Sequence, residues 1–191
     1  MLIKTIINVF KIDELRNKIL FTIAMLAVYR IGFWIPVPGV DQSALTSYFE
    51  AQAAAGGAAG KVMQYVAIFS GGSFGQSTIF GLGIMPYITA SIIFQLFQSV
   101  SPQLKKLKDE GPTGYAKIQE WTRYATVGLC VVQAVGWLSF ITKSGLVYST
   151  WATNPLWWVM AVVALTAGTI FLMWLGEQID RFGIGNGVSL I

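Results

Sequence analysis

Long apolar runs constrain this chain more than any other feature. A bilayer core about 30 Å thick needs roughly 20 helical residues to cross it. Runs of about that length cover residues 19–36, 77–100, 123–141 and 155–176, and another begins at about residue 184. Apolar residues make up 54% of the chain and charged residues only 12%, which is unusual for a soluble domain. The pattern predicts an all-α, multispanning transmembrane protein with four complete spans and the start of a fifth.

Local signals mark where the runs begin and end. The first run ends in Pro36-Val37-Pro38-Gly39, and proline breaks a helix. The fourth begins at Asn154-Pro155, which pairs a good N-cap residue with proline at the first helical position. The last residues, 183–191, are typical of a fifth helix cut short. We therefore expect this chain to be a fragment of a longer protein.

The residue inventory excludes several kinds of chemistry. The chain has no histidine and a single cysteine, Cys130, within an apolar run. His-based acid/base catalysis, serine–histidine nucleophiles and the commonest zinc ligand are therefore absent, and no intrachain disulfide is possible. We expect neither an enzyme nor a cofactor or metal site.

The positive charges predict the orientation, because lysine and arginine are retained on the cytoplasmic side. With the N-terminus inside, the outside segments hold only Lys61 and Lys143. The inside segments hold the other loop cations: Lys4, Lys11, Arg16, Lys18, Lys105, Lys106, Lys108, Lys117, Arg123 and Arg181. The run 105–108 is followed at once by two acidic residues, so it indicates a solvated inside loop rather than a nucleic-acid site.

The outside segment contains an apolar stretch, residues 61–72, that is too short to span a bilayer. A re-entrant half-helix is possible there, because irregular backbone is tolerated at membrane depth where it is buried in protein or lines a cavity. An amphipathic helix on the outer surface is equally compatible with the spacing. The residues alone leave both interpretations open.

The second run has glycines, a proline and polar side chains that a helix surrounded by lipid normally avoids. Treated as one helix, it has a face formed by Ser77, Gly81, Ile84, Ile88, Ser91, Gln95 and Gln98. The opposite face is formed by Ile79, Leu82, Pro86, Ala90, Ile93, Phe97 and Val100. A face that is polar at both ends and apolar in the middle describes an hourglass. Ile84 and Ile88 would form its constriction, which excludes water and ions by dewetting. Ordinary helix packing is the alternative.

Two features near the end of the chain have simple interpretations. Gly183, Gly185 and Gly187 follow no strand, so they predict a tight turn into the next helix rather than a dinucleotide site. Glu177 and Asp180 indicate a solvated flank beside the Arg181 cation, because proton relays place carboxylates within the membrane.

Several ordered blocks of sequence occur together in this chain. They are Tyr29-Arg30-Ile31-Gly32, Ile35 to Gly39, Phe69-Ser70-Gly71-Gly72, Gly83 to Ile88, Ala90-Ser91-Ile92-Ile93, Gln119 to Tyr124, Phe171 to Ile179, and Gly183 to Gly187. Together they resemble the N-terminal half of the SecY-type preprotein translocase channel subunit, over nearly the whole chain. The resemblance implies two inverted halves around an hourglass pore, an outside half-helix that plugs it, and a lateral gate toward lipid.

The resemblance also implies roles for individual residues. The pore ring would include Ile84, Ile88 and Val188, and the lateral gate would include Thr89, Ile92 and Gln133. The plug would consist of Lys61, Val62, Met63, Gln64, Tyr65, Val66, Ala67, Ile68, Phe69, Ser70, Gly71 and Gly72.

The implied function is to pass unfolded secretory proteins across the bacterial plasma membrane and membrane-protein segments into it. The implied partners are small single-span SecE- and SecG-like subunits, signal sequences, membrane lipid, and a SecA-like motor ATPase or a ribosome. The family's second half lies beyond residue 191, so this chain alone is not expected to translocate. Gln76 and the Tyr115-Ala116-Lys117 segment depart from frequent arginines of the family, which puts electrostatic contacts there in doubt.

Two other functions remain compatible with the residues. A secondary transporter with broken helices would bind a small solute at mid-membrane. Such a site needs polar or charged groups at the midplane, where this chain has Ile84 and Ile88. The second alternative function is that of an interaction fragment, which assembles with a second copy or a complementary half.

Overall fold

Helices make up most of the chain in the computed structural model, which describes residues 12–54 and 77–191. The helices in these ranges are α1 Asp13–Gly32, α2 Gln42–Ala54, α3 Met85–Val100, α4 Pro102–Asp109, α5 Pro112–Lys143, α6 Ser149–Ala152, α7 Pro155–Phe182 and α8 Gly187–Leu190. The described residues form no β-strand, only two isolated antiparallel bridges. The prediction of an all-α fold is confirmed.

Among the described helices, α5 and α7 are long and apolar enough to cross a bilayer. Their mean hydropathy reaches 1.7 and 2.1, respectively. The 20 residues of α1 span about 30 Å, but charged side chains lie near both of its ends. The 16 residues of α3 span only about 24 Å, so this helix alone is too short to cross a bilayer. The non-helical residues 77–84 would have to cover the remaining distance. With 32 residues, α5 begins well before the predicted start of the third span.

The chain after α1 pairs with the segment that precedes α3. The N–H of Val37 donates to the carbonyl of Ser77 at 2.8 Å, and the N–H of Ile79 donates to the carbonyl of Ile35 at 3.1 Å. Backbone groups at membrane depth need such partners, because lipid offers none. These bonds attach residues 77–84 to the end of α1 and hold them outside any helix.

Glycine and proline determine where α3 begins. Gly83 has φ of +59°, in the left-handed region that favours glycine. Pro86 lies in the first turn of α3, where its missing N–H leaves no helical bond unmade. The helix therefore begins at Met85, and the prediction that it begins at Ser77 is wrong.

Helices α5 and α7 pack against each other along rows of residues spaced by four. The buried row of α5 consists of Gly114, Ile118, Thr122, Thr126, Cys130, Ala134 and Leu138. The buried side of α7 includes Trp157, Ala161, Leu165, Gly168, Thr169, Leu172 and Gly176. Small residues permit the close approach that holds helices together in lipid, where apolar burial gives little driving force.

An apolar cluster closes one end of the helix bundle. It contains Val37, Val40, Leu45, Ala134, Leu138, Ile141, Leu146, Val147, Trp157, Ala161 and Leu165. Within the cluster, the Trp157 indole N–H donates to the carbonyl of Pro38 at 2.7 Å. Gly39 has φ of +86° and lies against the same indole, where a Cβ would overlap it. Helix α1 ends at Gly32, four residues before the predicted break at Pro36, and the Pro36–Gly39 segment packs on α7.

Helix α2 begins at a side-chain cap outside the spans. Oδ1 of Asp41 accepts the Ser43 hydroxyl at 2.5 Å, the Ser43 N–H at 3.0 Å and the Ala44 N–H at 3.1 Å. The Ser43 hydroxyl bond, followed by the backbone bonds, lowers the pKa of the Asp41 carboxyl. The cap therefore contributes stability above the unfolded-state pKa and loses it as pH falls through the folded-state pKa.

Gly168→Ala is expected to destabilise the fold, because a Cβ at this position would overlap the backbone oxygen of Ile79. Overpacking of this kind costs about 1–3 kcal/mol, so the midpoint of thermal unfolding in mild detergent should fall. Gly128→Ala is the control, since nothing lies within 4 Å of the Cβ position there. Equal midpoints for the two variants would contradict the close contact between α7 and Ile79.

Candidate functional site

The two isoleucines of the predicted constriction lie where α3 begins. Ile84 directly precedes the helix, and its carbonyl accepts the N–H of Ile88 at 3.1 Å. Both side chains are half-buried. The Ile84 Cδ1 atom lies 3.7 Å from the position that a Cβ on Gly176 would take. Ile84 is therefore held beside the small residues of α7.

Helix α8, which carries Val188, packs at the same level of α7. Gly187 is buried, and a Cβ there would overlap the carbonyl oxygen of Gly176. The Ile191 Cδ1 atom lies 3.5 Å from the Cβ position of Gly176. Val188 itself is half-buried. The residue before α3 and the residues at the two ends of α8, which are distant from it in sequence, thus converge on Gly176.

The predicted gate residues lie on α3 and α5. Thr89 donates its hydroxyl to the carbonyl of Met85 at 2.9 Å, and Ile92, one turn later, is 51% exposed. Gln133 is exposed on α5 and makes no hydrogen bond to any residue in 12–54 or 77–191. The structure therefore places Thr89 and Ile92 on one side of α3 and Gln133 on the exposed surface of α5.

The structure corrects one end of the polar face proposed for the second run. Ser77 is buried, and its hydroxyl oxygen accepts the Trp137 indole N–H at 3.2 Å. Gly81 lies in a turn, where its N–H donates to the carbonyl of Thr78 at 2.8 Å. Residues spaced by three and four positions share a face only within a continuous helix. The left-handed backbone at Gly83 interrupts the helix that this spacing assumed. Ser77 and Gly81 therefore do not continue the face of Ile84.

The other polar end of that face lies on α3 and lines a cavity between α3, α4 and α5. The cavity has a volume of about 620 Å³, and its polar lining residues are Tyr87, Ser91, Gln95, Gln98, Lys108, Tyr115, Gln119 and Thr122. Gln95 donates its amide to the Ser91 hydroxyl oxygen at 3.2 Å. Water enters a space of this size when several polar groups line it. The end of α3 near α4 is thus polar on the side that faces α5.

A second cavity, of about 530 Å³, adjoins the first and holds a charged cluster. Arg123 of α5 and Glu177 of α7 form a two-point ion pair, with Nε–Oε1 at 3.0 Å and Nη2–Oε2 at 2.7 Å. The Gln119 amide lies 3.4 Å from the same Oε1 atom. Such bidentate pairs are stronger than single-point ones and fix the relative position of their helices.

This cluster overturns the interpretation of Glu177 as part of a solvated flank beside Arg181, whereas Asp180 is exposed, as that interpretation expects. The Glu177 side chain is only 18% exposed, and its partner is Arg123. Asp180 accepts the N–H of Gly187 at 2.6 Å. The charge pattern of α7 alone could not identify these partners, because one belongs to another helix and the other to the backbone of the following turn. Arg123 and Glu177 lie at the ends of the third and fourth runs that are predicted to be cytoplasmic. That shared position is the sequence signal from which the ion pair could have been predicted.

The predicted plug, residues 61–72, and the Gln76 position lie outside the described residues. Within the described ranges, no group of three or more His, Cys, Asp or Glu side chains is placed to hold a metal ion.

A family model described as SecY matches residues 78–191, which is more than half of the chain. The protein translocase subunit SecY of Haemophilus influenzae is 45% identical over 180 residues, that of Escherichia coli K12 44% over 186, and that of Streptomyces scabiei 47% over 190. These matches cover 93%, 94% and 95% of this chain, but 39%, 40% and 42% of the relatives. The chain thus spans about two fifths of the length of these relatives.

Solved channel structures share the fold. One, described as showing that the plug domain of the SecY protein stabilises the closed translocation channel and maintains a membrane seal, aligns with a TM-score of 0.60 at 24% identity. Another, Sec61 in the canine ribosome-channel complex from the endoplasmic reticulum, aligns at 0.56 and 22%. They cover 92% of this chain and 34% and 35% of the solved chains. The prediction of a SecY-like fold is confirmed.

The Arg123–Glu177 pair is expected to couple α5 to α7. In a double-mutant cycle with Arg123→Gln and Glu177→Gln, the coupling in the free energy of unfolding should reach about 1 kcal/mol, because the pair is bidentate and partly buried. The control is the more exposed pair of Lys18 and Glu14 within α1, with Nζ–Oε1 at 3.0 Å, for which about 0.3–0.5 kcal/mol is expected. Equal coupling in the two cycles, measured by unfolding in mild detergent, would argue against a role for the Arg123–Glu177 pair in joining the helices.

Proposed function

This chain belongs to the SecY family, and on that premise we propose that it forms the N-terminal part of a protein-conducting channel. The channel passes unfolded secretory proteins across a membrane and releases apolar segments of membrane proteins sideways into lipid. The observation that best supports this function is the convergence of Ile84 and α8 on Gly176. It brings apolar side chains from two distant segments to one level of the bundle, as a seal requires.

In the proposed topology, α1, α3, α5 and α7 cross the membrane, and α8 begins a fifth span. The N-terminus is cytoplasmic, because the basic residues of α4 and Arg181 at the end of α7 then lie on the side that retains positive charge. The relatives named above are bacterial proteins, which supports a location in a plasma (inner) membrane.

The proposed pore ring includes Ile84, Ile88 and Val188. A narrow apolar passage excludes water and ions by dewetting, and no covalent chemistry is needed for that. The polar cavity lined by Ser91 and Gln95 supports a hydrated vestibule on the cytoplasmic side of the ring. The chain is proposed to act as a conduit, not as an enzyme, and a partner supplies the energy.

The proposed lateral gate includes Thr89, Ile92 and Gln133. Exposed apolar side chains cover the neighbouring surface of α3: Met85, Ile92, Ile93, Leu96, Phe97 and Val100. Such a surface is suited to contact an apolar signal sequence or the rest of the channel, since contiguous apolar patches mark interaction sites. A signal helix that leaves through this gate gains apolar surroundings in lipid.

The proposed partners are small SecE- and SecG-like single-span subunits, and either a SecA-like motor ATPase or a ribosome. The Sec61 structure named above is of a ribosome-channel complex, which supports a ribosome as one such partner. Because the chain spans about two fifths of its relatives, translocation is proposed only for the completed channel. The completed channel is defined here as this chain joined to the remaining C-terminal part of the Escherichia coli relative.

Replacing Ile84 and Ile88 with serine in the completed channel is expected to raise resting ion conductance and to relax signal-sequence selection, because polar groups stabilise water in the constriction. Single-channel recording in planar bilayers measures the conductance. The matched controls are Ile84→Leu and Ile88→Leu, which keep the constriction apolar and should keep the seal. If the serine variants conduct no more than the leucine variants, neither isoleucine belongs to the ring.

Cysteines introduced singly between Lys61 and Gly72 are expected to crosslink to a cysteine at Met85 in the resting completed channel, if this segment is the plug. The native Cys130, which is buried, is first replaced by alanine so that each variant holds only the introduced thiols. Crosslinking is measured by mobility on denaturing gels, with a cysteine at the exposed Trp34 as the control partner. Free labelling of residues 61–72 by a membrane-impermeant thiol reagent, without crosslinking to position 85, would favour the surface helix.

A further inference from the structure

The position of α8 depends on a turn of four residues, 183–186, that follows α7. Gly185 in this turn has φ of +86°. Two backbone N–H groups, that of Ile184 in the turn and that of Gly187 at the start of α8, donate to side chains rather than to backbone oxygens. These side chains are Thr22 and Asp180, and neither belongs to the proposed ring or gate.

Thr22 attaches the turn to α1. Its hydroxyl donates to the carbonyl of Lys18 at 2.9 Å, and its oxygen accepts the N–H of Ile184 at 3.0 Å. A threonine within a helix commonly makes only the first of these bonds. The second joins residues 162 positions apart in the sequence. Thr22 is also in contact with the turn at Gly183, where a Cβ would lie 2.6 Å from the threonine oxygen.

Asp180 attaches the start of α8 to the end of α7. Its Oδ1 atom accepts the N–H of Gly187 at 2.6 Å, a charge-assisted bond. Asn186 caps the start of α8, because its side-chain oxygen accepts the N–H of Ser189 at 3.1 Å. Because Gly187 lies directly on the carbonyl of Gly176, a displaced turn would lift α8 from α7.

We propose that Thr22 and Asp180 are positioning residues that hold α8, and with it Val188, against Gly176 and thereby keep the resting channel sealed. The proposal rests on the proposed function of the ring. Thr22 acts from α1, so the seal depends on a side chain that does not line the pore. Loss of either acceptor leaves a part-buried backbone N–H without its partner, which costs free energy, and the turn shifts to find another.

The test compares shape-preserving and bond-preserving variants in the completed channel. Thr22→Val keeps the shape of threonine but removes the acceptor, whereas Thr22→Ser keeps the hydroxyl. Asp180→Ala removes the second acceptor, whereas Asp180→Asn keeps an oxygen that can accept the N–H of Gly187. Resting conductance per channel in planar bilayers and backbone amide exchange of residues 183–188 are measured for each.

The expected result is a several-fold higher conductance for Thr22→Val and Asp180→Ala, with values close to the parent for Thr22→Ser and Asp180→Asn. Amide exchange should accelerate roughly tenfold at Ile184 in the valine variant and at Gly187 in the alanine variant, as loss of one part-buried hydrogen bond predicts. A purely structural role would reduce the amount of folded channel without raising the conductance of each channel.

The proposal is overturned if Thr22→Val and Thr22→Ser have equal amide exchange. It is also overturned if Thr22→Val and Asp180→Ala accelerate exchange but leave conductance at the parental value, while Ile84→Ser raises conductance. If Ile84→Ser leaves conductance unchanged, the proposed ring fails, and the exchange rates still decide whether Thr22 and Asp180 hold the turn. The two failures are therefore distinguishable.

Discussion

Close contact between α7 and the backbone of its neighbours underlies the arrangement of the described residues. At Gly168 the helix lies against the carbonyl of Ile79, and at Gly176 it lies against Gly187. In a bilayer, lipid tails surround apolar side chains as well as protein does, so burial alone gives packed helices little advantage. Dispersion contacts decide instead, and a gap below 1 Å forfeits a quarter to a half of such a contact. Gly168 of α7 and Gly187 of α8 permit the required approach, because a Cβ at either position would overlap a backbone oxygen of the neighbouring segment.

The segments that meet at α7 include two without helical structure, residues 77–84 and 183–186. Hydrogen bonds to other parts of the protein hold both segments. The first pairs with the chain after α1, and the second is held by Thr22 and Asp180. Each irregular segment ends next to a proposed ring residue, Ile84 in one case and Val188 in the other. In the proposed channel, the position of the ring would therefore depend on hydrogen bonds made outside the pore.

The two ends of the bundle differ in chemistry. Near α4, the polar cavity along α3 adjoins the ion pair between Arg123 and Glu177. At the opposite end, the apolar cluster around Trp157 packs the Pro36–Gly39 segment against α5 and α7. The hourglass proposed for the second run thus holds as a helical face at one end only. At the other end, Ser77 is hydrogen-bonded to Trp137 and does not line a continuous face with Ile84.

The sequence by itself determined the helical class, the approximate positions of the apolar runs, the helix start at Asn154, and the family. These follow from local chemistry, because hydropathy, proline and a capping side chain act within a few residues; Asn154 indeed accepts the N–H of Leu156 at 2.9 Å. The plug at residues 61–72 lies outside the described residues and stays a prediction. Only the tertiary structure decided that residues 77–84 are not helical, that Glu177 pairs with Arg123, and that Thr22 reaches the turn before α8. Each of these depends on a partner from a distant segment, and one chain's spacing does not encode which segments meet.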